Sequence, residues 1–219
     1  SSCEERVRVY TSRDLVHWEY QGYCTENRDV YFAYAPEVIY WQGDFYMITS
    51  PGGNGHYILK SDSPLGIFRP VTGNFGYSID GSFFKLDDGR LIMLNLHDNI
   101  IKESLLDEHM LPSGVRISTG ANLRGWTEGP GLFRRGEWYY LTYASRAYAP
   151  GQYWKAGWKF LGDPPEFGPS FLKTNCSLTS LAVSRDLRHW KKLGRITDSR
   201  FDDRDVILFP ERIEGKWVK

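Results

Sequence analysis

Four acidic residues stand at comparable places in this sequence: Glu37 in Ala35-Pro36-Glu37, Asp80 in Ser78-Ile79-Asp80-Gly81, Glu128 in Thr127-Glu128-Gly129-Pro130, and Asp205 after Arg204. Each shortly precedes an apolar stretch, a glycine-containing turn and an aromatic stretch. An acid beside Gly or Pro is ordinarily a turn residue, capping the local backbone through its side-chain oxygen. Four acids in step with a repeat are more than turn chemistry asks. Two converging carboxyls are what cleavage of a glycosidic bond needs. One is protonated and donates to the leaving oxygen; the other is ionised and activates water or attacks carbon. Burial or mutual repulsion raises the pKa of one of the pair and makes it the acid. Asp80 and Glu128 are the leading catalytic candidates.

The elements that must position these residues come from two repeats. Ser12-Arg13-Asp14-Leu15-Val16-His17-Trp18 recurs as Ser184-Arg185-Asp186-Leu187-Arg188-His189-Trp190, with a looser copy at Ser61-Asp62-Ser63-Pro64-Leu65-Gly66-Ile67-Phe68. The second repeat pairs an apolar strand with an aromatic one across a glycine turn: "EVIYWQGDFYMITS", "SFFKLDDGRLIML", "GLFRRGEWYYLTYA" and "ILFPERIEGKWVK". Its turn glycines, Gly43, Gly89 and Gly136, lie 46 and 47 residues apart, the length of a four-stranded propeller blade. The next gap, to Gly215, is 79 residues and fits a blade with an insertion near 146–176. Residues 99–111 are able to form a turn or two of helix, but they fall where a third strand is due. The predicted fold is all-β: one five-bladed β-propeller domain over residues 1–219, with partial first and last blades. In such a fold the innermost strands line a central channel, and the four acids mark where those strands begin.

Composition agrees and excludes several classes. Eight Trp, 14 Tyr and 12 Phe alongside 22 Gly and 11 Pro describe short strands joined by tight turns. With 27 basic and 27 acidic side chains there is no electrostatic footprint for nucleic acid or an anionic membrane, and neither is expected as a partner. No apolar run approaches the roughly 18 residues of a membrane span. Cys3, Cys24 and Cys176 form no metal or disulfide framework. No nucleotide-binding, nucleophile-elbow or zinc-protease motif occurs.

Three ordered stretches, "YAPEVIYWQGDFYMITSPGGNGHYILKSDSPLGIFRPV", "SIDGSFFKLDDGRLIML" and "WTEGPGLFRRGEWYYLTYAS", resemble successive blades of family 43 glycoside hydrolases. Those are five-bladed propellers that cleave arabinofuranosides, xylosides and related plant polysaccharide linkages with inversion. The resemblance spans roughly residues 6–145. It implies that Glu128 is the general acid and that Asp80 orients it and tunes its pKa. It also implies a general base, an Asp on the first blade's inner strand, just upstream of "RVRVYTSRDLVHWEY". The tail "DDRDVILFPERIEGKWVK" is similar to family 130 enzymes, propellers acting on mannosides, and this makes Asp205 and Glu211 rim candidates. No cofactor is required. Family 43 members often carry a His near a central ion in the last blade; no such His is found here, so a structural calcium has no identifiable site.

Carbohydrate is the expected partner, and aromatics at the strand mouths suit it, because sugars stack their apolar C–H faces on rings. Phe32, Tyr34 and Trp126 are the candidates. His56 follows the flexible Pro51-Gly52-Gly53-Asn54-Gly55 and is expected to reach a sugar hydroxyl. His17 and His189 share one place in the turn repeat and are read as structural. Two rival classes keep the propeller without the chemistry: a non-catalytic carbohydrate-binding module and a scaffold for protein partners.

Overall fold

The computed structural model describes residues 6–97, 100–119, 127–146 and 177–196. Fourteen strands and no helix occur among them. A two-stranded ribbon of β1 (Arg8–Thr11) and β2 (Glu19–Tyr23) is followed by three four-stranded sheets. The first holds β3 (Ala33–Trp41), β4 (Asp44–Pro51), β5 (Tyr57–Ser61) and β6 (Arg69–Pro70). The second holds β7 (Ser82–Lys85), β8 (Leu91–His97), β9 (Ile100–Leu106) and β10 (Pro112–Ser118). The third holds β11 (Thr127–Arg135), β12 (Trp138–Arg146), β13 (Ser177–Ser184) and β14 (Trp190–Arg195). In every sheet the strand order follows the chain, as the blade-length repeat requires. The stretch with some helical character at 99–111 is strand β9 and a turn that Asp107 caps from its Oδ1 to the N–H groups of His109 and Leu111.

The chain divides into two compact units, Ser1–Asn95 with Ser104–Arg116, and Leu96–Glu103 with Ile117–Lys219. In the first, β4 and β5 are buried on both faces. Successive strand side chains point to opposite sides. Tyr46, Ile48 and Ile58 therefore join Phe83, Leu91, Met93, Leu106 and Met110 in one core. Phe45, Met47 and Leu59 turn the other way and pack with Cys24, Val30, Phe68, Val7 and Val9. Burial pushes the Cys24 thiol up to about 11, so it is an inert core residue. In the second unit Leu141, Tyr143 and Ala144 of β12 and Ala182 of β13 are the buried centre.

The Ser-x-Asp repeat is one turn built twice. Ser12 Oγ accepts from the N–H groups of Asp14 and Leu15 at 3.2 and 2.8 Å, and Asp14 Oδ1 accepts from Val16 and His17 at 2.9 and 2.8 Å. Ser184 and Asp186 repeat the set at 3.2, 2.9, 2.9 and 2.8 Å. In both copies the Asp Oδ2 meets the His Nδ1 at 2.6 Å, which accounts for the shared histidine as turn structure. Those bonds to the ionised form hold both aspartates well below the usual carboxylate range.

Candidate active site

The first strands of two of the four-stranded sheets enter through the same irregularity. In the β3–β4 hairpin, Tyr34 pairs with Ser50 and Glu37 with Ile48, so one extra residue bulges from β3. In the β11–β12 hairpin, Glu128 pairs with Ala144 and Gly131 with Thr142, giving the same bulge. The left-handed residue that makes the kink is Ala35 (φ 45°) in one and Gly129 (φ 58°) in the other, and Pro36 or Pro130 follows. Counted by pairing, Glu128 therefore corresponds to Tyr34, and Glu37 corresponds to Gly131. β7 pairs Ser82 with Leu94, and two residues before Ser82 stands Asp80, again left-handed at φ 61°. Asp80 thus takes the place of Ala35 and Gly129, one position beyond that of Glu128. The sequence interval is similar in all three strands, but the acids are staggered by the kink.

Glu37 is used differently from the other two. Its Oε1 accepts the Phe83 N–H at 2.7 Å, tying β3 to β7. Burial raises its carboxyl above the ordinary value, against the opposing pull of Phe83 N–H and Ser82. It holds the strand that Asp80 leads into.

Asp80 ends a constrained segment. Gly76, Tyr77, Ser78 and Asp80 all have positive φ, between 61° and 84°. For the three that are not glycine this costs about 1 kcal/mol or more each, and such strain persists only where surrounding contacts over-determine the backbone. Those contacts are present. The Gly76 carbonyl accepts His56 Nδ1 at 2.9 Å, the Tyr77 carbonyl accepts Asn95 Nδ2, and the Ser78 carbonyl accepts the Gly55 N–H at 2.5 Å. Gly81 closes the segment against the core: a Cβ there would lie 2.4 Å from Ile48 Cδ1 and 2.8 Å from His56 Cδ2.

The first unit brings several of the expected residues together. Phe32 and Tyr34 have ring centroids 6.5 Å apart, and Tyr34 is 43% exposed. Gly53 sits between the Tyr34 ring and Ile79, where a Cβ would lie only 3.1 and 3.4 Å from them, so the aromatic platform adjoins the Asp80 segment. His56 corrects the sequence expectation. It is 0% exposed, its ring stacks on Phe75 at 5.8 Å, and it has no surface to offer a sugar hydroxyl. Glu128 belongs to the second unit, half-buried at the head of β11 beside the fully buried Thr127. Trp126 and Asp205 lie outside the described residues, as do Glu211 and, but for Arg146, the insertion expected near 146–176. Among the described residues no cluster of three metal-ligating side chains occurs. Sequence reasoning missed two buried polar groups, Asn95, whose neighbours in β8 read simply as core, and Glu103, which lies in a polar stretch of β9.

Comparison with solved structures places this succession of four-stranded sheets among known folds. It is similar to an α-L-arabinofuranosidase from Clostridium thermocellum, with a TM-score of 0.67 and 21% identity over 96% of this chain and 68% of that one. It is also similar to an exo-β-1,3-galactanase from Phanerochaete chrysosporium, with a TM-score of 0.62 and 18% identity over 89% of this chain and 44% of that one. The family model for glycosyl hydrolases family 43 matches residues 1–157, and the chain belongs to that family. Among curated proteins, a xylan 1,3-β-xylosidase from a Vibrio species is 30% identical over 169 residues, covering 63% of this chain and 31% of its own length. The chain therefore spans about a third of the length of that relative.

Proposed function

We propose that this chain carries the acid machinery of an inverting glycoside hydrolase acting on arabinofuranoside or xyloside linkages, built on a five-bladed β-propeller. The carrying observation is that the family match over residues 1–157 includes both carboxylates that stand at kinked inner-strand entries, Asp80 and Glu128. Glu128 is the general acid that protonates the leaving oxygen. Asp80 is the partner that orients it and tunes its proton affinity. Phe32 and Tyr34 receive the apolar face of a sugar, and Trp126 and Asp205 complete the sugar contacts. No residue of this chain is assigned as the general base. The relatives support the substrate class by the names they carry, a xylosidase and an arabinofuranosidase.

Glu128→Gln in the full-length protein tests the assignment. Proton donation of this kind is worth about 10²–10⁴-fold, so release of p-nitrophenol from aryl arabinofuranosides and xylosides should fall by that factor while sugar binding persists. Single displacement also requires the freed sugar to appear with inverted configuration by proton NMR. Retained configuration, or full turnover by Glu128→Gln, overturns the reading. A parent protein that binds sugar and turns over none of these substrates is the carbohydrate-binding module instead.

A further inference from the structure

His56 touches the Asp80 segment at both of its ends. At the near end its carbonyl accepts the Phe75 N–H at 3.1 Å and its Nδ1 donates to the Gly76 carbonyl at 2.9 Å. A carbonyl oxygen only accepts, so this bond fixes the proton on Nδ1. At the far end its Cδ2 edge is packed against Gly81, the residue that follows Asp80. Asn95, 1% exposed on β8, grips the middle of the segment through the Tyr77 carbonyl. The segment they hold carries four left-handed residues, Gly76, Tyr77, Ser78 and Asp80, and lies outside the strands. A backbone in that conformation relaxes unless its surroundings hold it. The loop's last left-handed residue is the carboxylate itself.

We propose that His56 and Asn95 are positioning residues for Asp80: they clamp the strained 76–80 backbone through its carbonyls and thereby aim the Asp80 carboxylate. The inference rests on the reading of Asp80 as a site residue. His56 then contributes to turnover from a fully buried place, without contacting sugar.

Three variants of the full-length protein test this, with kcat and KM measured separately on p-nitrophenyl arabinofuranoside or xyloside. His56→Leu keeps volume and removes the donor; His56→Asn restores an N–H donor close to the place of Nδ1. Asn95→Asp, nearly isosteric, replaces the donor to Tyr77 with an acceptor. Misplacement of a reacting group by about 1 Å is able to cost 10²-fold, so His56→Leu and Asn95→Asp should each lower kcat by about that factor with KM little changed. His56→Asn should recover most of the loss. Amide hydrogen exchange across 76–81 should quicken in the two damaged variants alone. Unchanged kcat with a lowered melting temperature overturns the proposal, as does a rise in KM at constant kcat, which would mean a direct sugar contact. Should His56→Leu fail to fold, Asn95→Asp decides by the same criteria. Asp80→Asn is the control. If it leaves turnover intact, the site reading itself fails; if it abolishes turnover while the clamp variants are silent, only this inference fails.

Discussion

Glu103 on β9 is 4% exposed, and its Oε2 has no hydrogen-bond partner among the described residues. Burial, with a smaller contribution from the Asp186 carboxylate, pushes its pKa up to about 8. The folded chain therefore holds a proton that the unfolded chain has released once pH passes the ordinary value of 4.5. Native protein binds more protons than unfolded protein in that window, so this residue's contribution to stability falls as pH rises, by about 1.4 kcal/mol per unit, and levels off above the folded value. Glu103→Gln removes the slope. Guanidinium midpoints of parent and variant should converge near about pH 5 and diverge in favour of the variant near about pH 8. Equal midpoints at both pH values would show that Glu103 is ionised in the fold. Sequence did not single out this residue, since Lys102-Glu103-Ser104 reads as a polar stretch. Burial is decided by which sheet faces it. Asp80 and Glu128 were singled out for the opposite reason: Gly81 and Gly129-Pro130 beside them are local backbone signals, and left-handed backbone at Asp80 and Gly129 is what the structure has there. His56 was misjudged because a histidine after three glycines looks exposed, and only the packing of Phe75 and Gly81 buries it.

At the scale of the element, the hairpins were readable and their alignment was not. Apolar and aromatic strands around a turn predict β3–β4, β7–β8 and β11–β12, and all three form. The turn glycines that seemed to mark the repeat are not equivalent, however. Gly43 is the second loop residue, after left-handed Gln42, whereas Gly136 is the first. Strand pairing ignores residue identity in the loop as long as the required φ is met, so a glycine count drifts by one. Gly81 has a stricter role, because a methyl group there meets two fully buried side chains. Gly81→Ala is expected to destabilise by about 1–3 kcal/mol through overpacking, read as a lower urea midpoint at unchanged slope. A neutral substitution would show that Ile48 and His56 have room to move.

For the molecule as a whole, the order of sheets was legible because blade-length spacing is written in the chain, and sheets β3–β6, β7–β10 and β11–β14 follow it. Ring closure is another matter, since it depends on contacts between distant parts of a chain and leaves no local pattern. Substrate class belongs to this scale too. Family membership rests on residues 1–157, whereas the family 130 likeness rests on the tail alone. Pentosides should therefore be turned over in preference to mannosides. Activity on mannosides with phosphate, and on no pentoside, would reverse the order. The burial of β4 on both faces has a last consequence, for how such a chain can change over generations. A strand with no wet side cannot lose or gain one residue, because every side chain would swap cores. Length variation is steered instead outside such strands, and the sequence interval from β12 to β13 is 30 residues against 2 from β11 to β12.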